Sequence, residues 1–225
     1  KGIIKGVGVG NTTIYAKANG VTRSIKVHVR QTLDGIDVSK WQGNIDFHKV
    51  RSAGYNFVMI RIYNGIAKDP NFETYYKDAK AAGLGIGVYY YSYATSAAQA
   101  AADANTVLHI LNGRALNYPV VIDMEDDAQL TGLTNKDRTD IAWAFCNAIH
   151  AGGYESGLYA NTYWLNNYFE NSRLKGMNIW AARWQDISLG HQYSGNGNIF
   201  MWQYSNAGNV NGITGNVDLN LGFSD

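Results

Sequence analysis

Residues 120–125, Val-Val-Ile-Asp-Met-Glu, and the helical pattern that follows them at residues 136–151 decide the fold. The first stretch is a short apolar run that ends in acidic residues, which is typical of a buried strand. In the second stretch apolar residues recur every three or four positions, which is typical of a helix with one buried face. A strand followed by such a helix predicts a unit of a parallel sheet.

The same alternation extends in both directions from this unit. Short apolar runs predict strands at residues 35–39, 57–63, 85–93, 120–125, 157–160, 179–183, 200–204 and 217–219, and helical patterns are clearest at 71–82, 97–111, 136–151 and 162–174. Eight parallel strands with fewer helices predict an α/β fold, an irregular (β/α) barrel. The last connections, 184–199 and 205–216, are rich in Gly, Asn and Ser and predict no helix.

Residues 1–32 follow a different pattern. Alternating apolar residues flank Asn19-Gly20, a strong hairpin signal, and they predict a short N-terminal β-hairpin. The text GNTTIYAKANGVTRSIKVHV, residues 10–29, resembles the last strands of bacterial Ig-like group 2 domains. We therefore divide the chain into residues 1–32, a hairpin remnant or linker, and residues 33–225, the barrel domain. Because two strands alone are marginally stable, we expect the hairpin to pack on the barrel or on a second copy, away from the acidic strand ends.

Composition and charge argue against several kinds of partner and site. The formal net charge is +1, charged residues make up 16%, and Lys and Arg form no cluster, so nucleic acid is not expected as a partner. No apolar run reaches the roughly 18 residues that span a bilayer, so membrane insertion is not expected either. The single cysteine, Cys146, lies in an apolar helical pattern that predicts a buried, unreactive thiol. The five His residues lack metal-ligand spacing, and we expect neither metal nor cofactor.

Acidic residues recur at the predicted strand ends. They are Asp37 in the first strand, Asp123 and Glu125 in the fourth, and Asp218 in the last. The C-terminal strand ends form the active-site face of a parallel barrel, so these carboxyl groups should converge. Neighbouring carboxyl groups push their pKa values apart, and one can then donate a proton while another stays ionised, as cleavage of a glycosidic bond requires. The alternative is that the acids cap helices or pair with Arg61 and Arg183.

Six segments, in order along the chain, resemble family 25 of the glycoside hydrolases, the Chalaropsis-type lysozymes of bacteria, phages and fungi. They read GIDVSKWQG (35–43), AGLGIGVYYYSYA (82–94), PVVIDMED (119–126), GLYAN (157–161), IWAARW (179–184) and MWQYSNAGNVNGITGNVDLN (201–220). The resemblance implies an irregular β/α barrel that hydrolyses the β-1,4 bond between N-acetylmuramic acid and N-acetylglucosamine. It implies peptidoglycan glycan strands as the partner and a secreted, cell-wall-acting enzyme, either a bacterial autolysin or a phage endolysin. We expect a monomer.

The resemblance also implies roles for individual residues. Glu125 matches the general acid of the family, and Asp123 matches the carboxylate that assists the acetamido group of the substrate. Asp37 and Asp218 match two further acids of the cleft. Candidate substrate-binding residues are Tyr89, Tyr91, Tyr159, Trp202, Arg61 and Trp184. Many relatives carry His where Tyr90 stands, a departure that bears on the shape of the groove.

Two other functions are alternatives for such a barrel. A chitinase-like barrel glycosidase would show the strand motif Asp-x-x-Asp-x-Asp-x-Glu, but residues 119–122 here are Pro-Val-Val-Ile. A non-catalytic wall-binding module would have no need of the acids, yet every expected acid is present. The 16 Tyr and 6 Trp fit a sugar-binding cleft, with ordinary core packing as the alternative.

Overall fold

A computed structural model describes residues 6–224, so that the first five residues of the predicted 1–32 segment and the last residue of the barrel domain lie outside it. In chain order the strands are β1 Gly10–Ala18, β2 Val21–Val29, β3 Gln31–Val38, β4 Phe57–Tyr63, β5 Gly85–Tyr91, β6 Val120–Asp123, β7 Ser156–Asn161, β8 Asn178–Ala182, β9 Asn198–Gly208 and β10 Val217–Ser224. The α-helices are α1 Phe47–Ser52, α2 Phe72–Ala81, α3 Ala97–Leu111, α4 Asn135–Ala151 and α5 Thr162–Asn167. No helix within residues 6–224 is long and apolar enough to cross a membrane.

Strands β3 to β10 form a closed barrel in sequence order, so the predicted irregular α/β barrel with few helices is confirmed. From β3 to β9 each strand is parallel to its neighbour. The prediction of parallel strands is wrong for β10, which runs antiparallel to both β9 and β3. No helix lies between β9 and β10, and a short connection can only return the chain in the opposite direction.

Side chains that alternate along the strands make two apolar layers. Inside the barrel lies a compact cluster: Phe57, Met59, Tyr89, Val121, Tyr159, Trp180, Ala182 and Met201. The opposite face of the strands packs beneath the helices, where Ile122 and Phe145 are fully buried. Gly35 shows how tightly the interior is filled, because a Cβ there would come within 2.2 Å of the Phe57 ring. The interior is therefore filled by side chains at one end, and its polar groups collect at the other.

Helix α4 matches its prediction, and Cys146 on it is buried, as expected. Burial raises the pKa of the Cys146 thiol to about 12, so it stays protonated at neutral pH. The helix predicted at 162–174 is wrong in length, because α5 ends at Asn167 and a separate 3-10 turn spans Asn171–Leu174. Contacts from α4 interrupt it. Arg138 Nε donates to the Tyr168 carbonyl over 2.8 Å, and Thr139 Oγ1 accepts the Glu170 N–H over 2.9 Å.

The predicted hairpin is present, with β1 and β2 paired antiparallel over their full length. Asn19 and Gly20 form its turn with φ values of 48° and 76°, a conformation that suits an Asn-Gly pair. Most of the hairpin is solvent-exposed, and Ile25 keeps 61% of its surface. Its base meets the barrel where Arg30 Nη1 donates to the Ile199 carbonyl over 2.7 Å. The hairpin thus joins the barrel at the N-terminal end of β3, opposite to the end that carries the acids.

Candidate active site

A cavity of about 260 Å³ opens at the C-terminal ends of the parallel strands. Eight of the ten predicted site residues line it: Asp37, Arg61, Tyr89, Tyr91, Asp123, Glu125, Tyr159 and Asp218. Five residues that were not predicted as site residues line it too: Ser39, Trp41, Gln42, Trp180 and Gln203. The structure therefore brings the four predicted acids together around one cavity.

Asp37 and Asp218 form a pair on the side of the cavity where β3 meets β10. Their Cα atoms are directly opposite each other in the antiparallel ladder. Asp218 stands near the start of β10, and because β10 is reversed, its start lies beside the ends of the parallel strands. Asp37 Oδ2 accepts hydrogen bonds from Gln203 Nε2 over 2.9 Å and from Asn220 Nδ2 over 2.8 Å.

Burial is the main influence on the protonation of this pair. It raises the pKa of Asp37 well above its usual range, and the nearby charge of Asp218 raises it further. Burial also raises the pKa of Asp218, while a hydrogen bond from Asp37 lowers it. Two buried carboxyl groups in contact cannot both ionise easily. The pair therefore keeps one proton at pH values at which an ordinary aspartate is already ionised.

Asp123 ends β6 and reaches the centre of the cavity. It is 5% exposed, and its Oδ1 atom is buried without any hydrogen-bond partner among the described residues. Burial raises the pKa of Asp123 well above normal, as do the charges of Glu125 and Asp37, while Arg61 acts in the opposite direction. A buried carboxyl oxygen without a partner costs stability, and it can be satisfied by a donor that enters the cavity.

Glu125 lies two residues beyond Asp123, after the end of β6, at the exposed mouth of the cavity. The pKa of Glu125 is raised, first because neighbouring groups displace water from its carboxyl group and then because Asp218 and Asp126 carry like charges. A raised pKa keeps a carboxyl group protonated closer to neutral pH, which is what a proton donor needs.

Arg61 is held by an acid outside the predicted set. Its Nε and Nη2 atoms donate to Asp69 Oδ2 over 2.9 and 2.8 Å, and the Lys40 N–H reaches the same oxygen over 3.0 Å. Within residues 6–224 neither Arg61 nor Arg183 forms an ion pair with the four acids of the cavity, so the alternative interpretation of those acids as ion-pair partners does not hold. Asp69 instead ties Arg61 to the turn that carries Trp41.

Aromatic side chains form the floor of the cavity. Tyr89 and Tyr159 meet the Trp180 ring edge-on, with centroids 5.9 and 4.7 Å away. Burial raises the pKa of both phenols, which stay neutral hydrogen-bonding groups. Tyr91 lies nearer the opening, with its hydroxyl 3.5 Å from Asp126 Oδ2.

Two predicted substrate-binding residues do not line the cavity. Trp184 lies at its rim, 58% exposed, with Nε1 donating to Gln203 Oε1 over 2.9 Å. The placement of Trp202 corrects the prediction. It is 3% exposed on the outer side of β9, where Nε1 donates to the Arg183 carbonyl over 2.9 Å and the ring meets His191. Successive residues of a strand point to opposite faces, and on β9 the inward position belongs to Gln203.

Tyr90, which the family resemblance suggested as relevant to the shape of the groove, also points away from the cavity. Its ring is buried between Tyr63 and Phe145, with centroids 5.7 and 5.3 Å away. Its hydroxyl donates to Asp103 Oδ2 over 2.5 Å, on α3. Tyr90 therefore contributes to packing between the barrel and its helices and does not form a wall of the cavity.

Sequence pattern alone did not select several residues of the site. Gln203 and Asn220 are buried amides in apolar strands, and their polarity was a usable signal because an unpaired buried amide is costly. Trp41 follows β3 and is 76% exposed beside the cavity, yet a single aromatic residue formed no distinctive sequence pattern. Asp69 could not be selected from local sequence, because it joins the site only through its hydrogen bonds with Arg61. No group of three or more His, Cys, Asp or Glu within residues 6–224 is arranged to hold a metal ion.

Comparison with known proteins gives consistent matches. The family model for glycosyl hydrolases family 25 matches residues 36–213. Lysozyme M1 of Streptomyces globisporus is 33% identical over 206 residues, covering 84% of this chain and 67% of that protein. The autolytic lysozyme of Clostridium acetobutylicum is 28% identical over 193 residues and covers 83% of this chain. This chain spans only 55% of the length of that relative.

A solved structure agrees in fold. The bacterial lysozyme of Streptomyces coelicolor superposes with a TM-score of 0.71 at 28% identity, covering 86% of this chain and 92% of that one. The matched region contains every acid of the cavity except Asp218, which lies just beyond the family match but inside the antiparallel strand that closes the barrel. The chain belongs to glycosyl hydrolases family 25.

Proposed function

We propose that this chain is a lysozyme that hydrolyses the β-1,4 bond between N-acetylmuramic acid and N-acetylglucosamine in peptidoglycan. Glu125 acts as the general acid, and Asp123 assists the acetamido group of the substrate. The observation that carries the proposal is the buried, unpartnered Oδ1 atom of Asp123, located two residues from a glutamate with a raised pKa.

Glu125 has the position and the pKa of a proton donor. It stands at the mouth of the cavity, where a glycosidic oxygen can reach it from solvent. In the first step its proton passes to the leaving oxygen as the bond from that oxygen to the anomeric carbon breaks. In the second step the ionised Glu125 takes a proton from the attacking water, which restores the acid.

Asp123 has an acceptor for which the described residues supply no donor. An acetamido N–H entering the cavity satisfies Oδ1 and places the acetamido carbonyl oxygen next to the anomeric carbon. That oxygen forms the new bond as the leaving group departs, and Asp123 stabilises the positive charge that develops on the acetamido nitrogen. Arg61 favours the ionised form of Asp123 that this step requires. Two successive displacements at the same carbon retain its configuration.

The names of the relatives support the substrate class. Two of them are called lysozymes, and a further match, 27% identical over 209 residues, is the N,O-diacetylmuramidase of Chalaropsis. We extend to this chain an action on peptidoglycan outside the cytoplasm, as part of a bacterial autolysin or a phage endolysin. We also propose residues 33–225 as the catalytic domain and residues 1–32 as a spacer that resembles the end of an Ig-like domain.

The decisive experiment compares peptidoglycan with chitin and identifies the new reducing ends by mass spectrometry. A muramidase releases fragments that end in N-acetylmuramic acid and leaves chitin intact. Glu125→Gln, which keeps the shape and removes the acid, is the matched control and should release nothing above background. Release of N-acetylglucosamine ends, turnover of chitin, or binding without cleavage by the unmodified chain would each reject the proposal.

A further inference from the structure

Gln203 is buried between the rim of the cavity and the Asp37–Asp218 pair, and all its hydrogen-bonding positions are used. Its Nε2 atom donates to Asp37 Oδ2 over 2.9 Å and to Asp218 Oδ2 over 3.3 Å. Its Oε1 atom accepts from Tyr159 Oη over 3.0 Å and from Trp184 Nε1 over 2.9 Å. An amide has two N–H groups and two carbonyl lone pairs, so none is left over.

The orientation of this amide is determined by an indole. The Trp184 N–H can only donate, so the atom of Gln203 that faces it must be the carbonyl oxygen. The amino group is then turned toward the two acids. A second indole acts in the same way, because Trp180 Nε1 donates to Asn220 Oδ1 over 2.8 Å and so turns Asn220 Nδ2 toward Asp37.

These contacts constrain where a proton can reside. Asp37 Oδ2 already accepts two N–H groups, from Gln203 and Asn220, and cannot itself carry a proton without a clash of hydrogens. A proton retained by Asp37 therefore lies on Oδ1, the oxygen that the two amides leave unoccupied.

We propose that Gln203 is a positioning residue: Trp184 and Tyr159 hold its carbonyl group, so that its amino group donates to the Oδ2 atoms of Asp37 and Asp218 and, together with Asn220, leaves Oδ1 as the site of a proton on Asp37. The consequence for catalysis rests on the proposed function, since the pair shares the cavity with Glu125. The position of the proton on the pair does not depend on the proposed function.

The other titratable groups that face the pair come from four neighbouring strands. Arg61 on β4 and Tyr89 on β5 line the same cavity, as do Asp123 and Glu125 at the end of β6 and Tyr159 on β7. Removing the two N–H groups of Gln203 leaves all these charges in place. Any change in the titration of the pair then reports the loss of the amide.

The test is a pH titration of the full chain carrying ¹³C-labelled aspartate carboxyl groups, followed by NMR. Spectra of Asp37→Asn and Asp218→Asn identify the two signals. Hydrogen bonds to a carboxylate favour its ionised form, so Gln203→Met should raise both apparent pKa values of the pair by roughly one unit. Asn178→Leu is the control, because its amide donates to the Ser156 carbonyl over 3.0 Å near the other end of the barrel. It should leave the titration of the pair unchanged.

Gln203→Glu gives an independent result if Gln203→Met does not fold. One oxygen of the new carboxyl group replaces Oε1, and the other must face the acids, so it should bind a proton and titrate well above the roughly 4.3 of an ordinary glutamate. A purely structural role would lower the melting temperature of both variants without moving any pKa. Titration of the pair as in the unmodified chain, or an ordinary pKa for the new carboxyl group, would overturn the proposal. The measurement needs no substrate, so it stands even if the lysozyme assignment fails.

Discussion

Replacing Asp123 by asparagine is expected to slow turnover strongly while changing substrate affinity little. The substitution keeps the shape of the side chain and removes its charge. A hydrogen bond to a charged group contributes about 1.5–3 kcal/mol. Removing one preorganised electrostatic group from an active site typically costs about 2.7–4 kcal/mol. The two effects overlap here, so a loss of about 3–4 kcal/mol is expected, which corresponds to roughly a 10²–10³-fold lower kcat.

The assay is steady-state release of reducing ends from soluble peptidoglycan fragments by Asp123→Asn and by the unmodified chain. Since the group acts on charge that develops during the reaction, the loss should fall on kcat and leave KM within a few-fold. A variant with normal kcat and a greatly increased KM would mean that Asp123 only binds the substrate, and the mechanism proposed for it would be wrong.

The same variant provides a measurement without substrate. The pKa of Asp123 is raised in the folded protein, so above the unfolded value near ~3.9 the folded chain holds a proton that the unfolded chain has released. The free energy of unfolding therefore falls as pH rises from about 4 through the folded pKa. Asp123→Asn removes this contribution, so its melting temperature should decline less steeply with pH. Parallel declines in both proteins would contradict the raised pKa.

Further outcomes are expected elsewhere in the chain. Glu125→Gln should lose on the order of 10³-fold in activity with an unchanged melting curve, because proton donation is typically worth ~10²–10⁴; near-normal lysis would remove Glu125 as the acid. Dialysis against a strong chelator should leave activity intact, and a loss that Zn²⁺ or Mg²⁺ restores would reveal a metal site. Cys146 should resist thiol reagents in the native protein, since its pKa of about 12 leaves almost no thiolate, and rapid labelling would show that its helix opens. Deleting residues 1–30 should leave turnover of small soluble glycans unchanged, and its loss in a folded barrel would place the hairpin in the active site.

Much of the fold follows from local pattern. A buried strand must be apolar and a helix packed on it must have an apolar face, so periodicity predicted strands β4 to β9 and helices α2, α3 and α4. It failed where distant residues intervene. Helix α5 ends early because Arg138 donates a hydrogen bond to the Tyr168 carbonyl and Thr139 accepts one from the Glu170 N–H. Neither contact could be predicted from the sequence of residues 162–174.

Some residues of the candidate site could be selected from the sequence, and others only from the structure. Acids in apolar strands stand out because burying a charge is costly, so Asp37, Asp123, Glu125 and Asp218 could be selected without a structure. The resemblance of six segments to a known family then implied a role for each acid. The face on which an aromatic residue of β9 lies could not be selected, because a shift of one residue moves every side chain of a strand to the other face.

The sequence by itself determined the alternation of strands and helices, the hairpin turn at Asn19-Gly20 and the presence of acids at strand ends, since each depends on neighbours within a few residues. Only the tertiary structure decided that β10 runs antiparallel, that Trp202 lies outside the cavity and that Gln203 holds the acid pair. Asp37 meets Gln203 and Asn220 across 166 and 183 residues of chain. Contacts over such separations form only when the barrel closes, so their geometry is a property of the closed barrel and cannot be found in any local stretch.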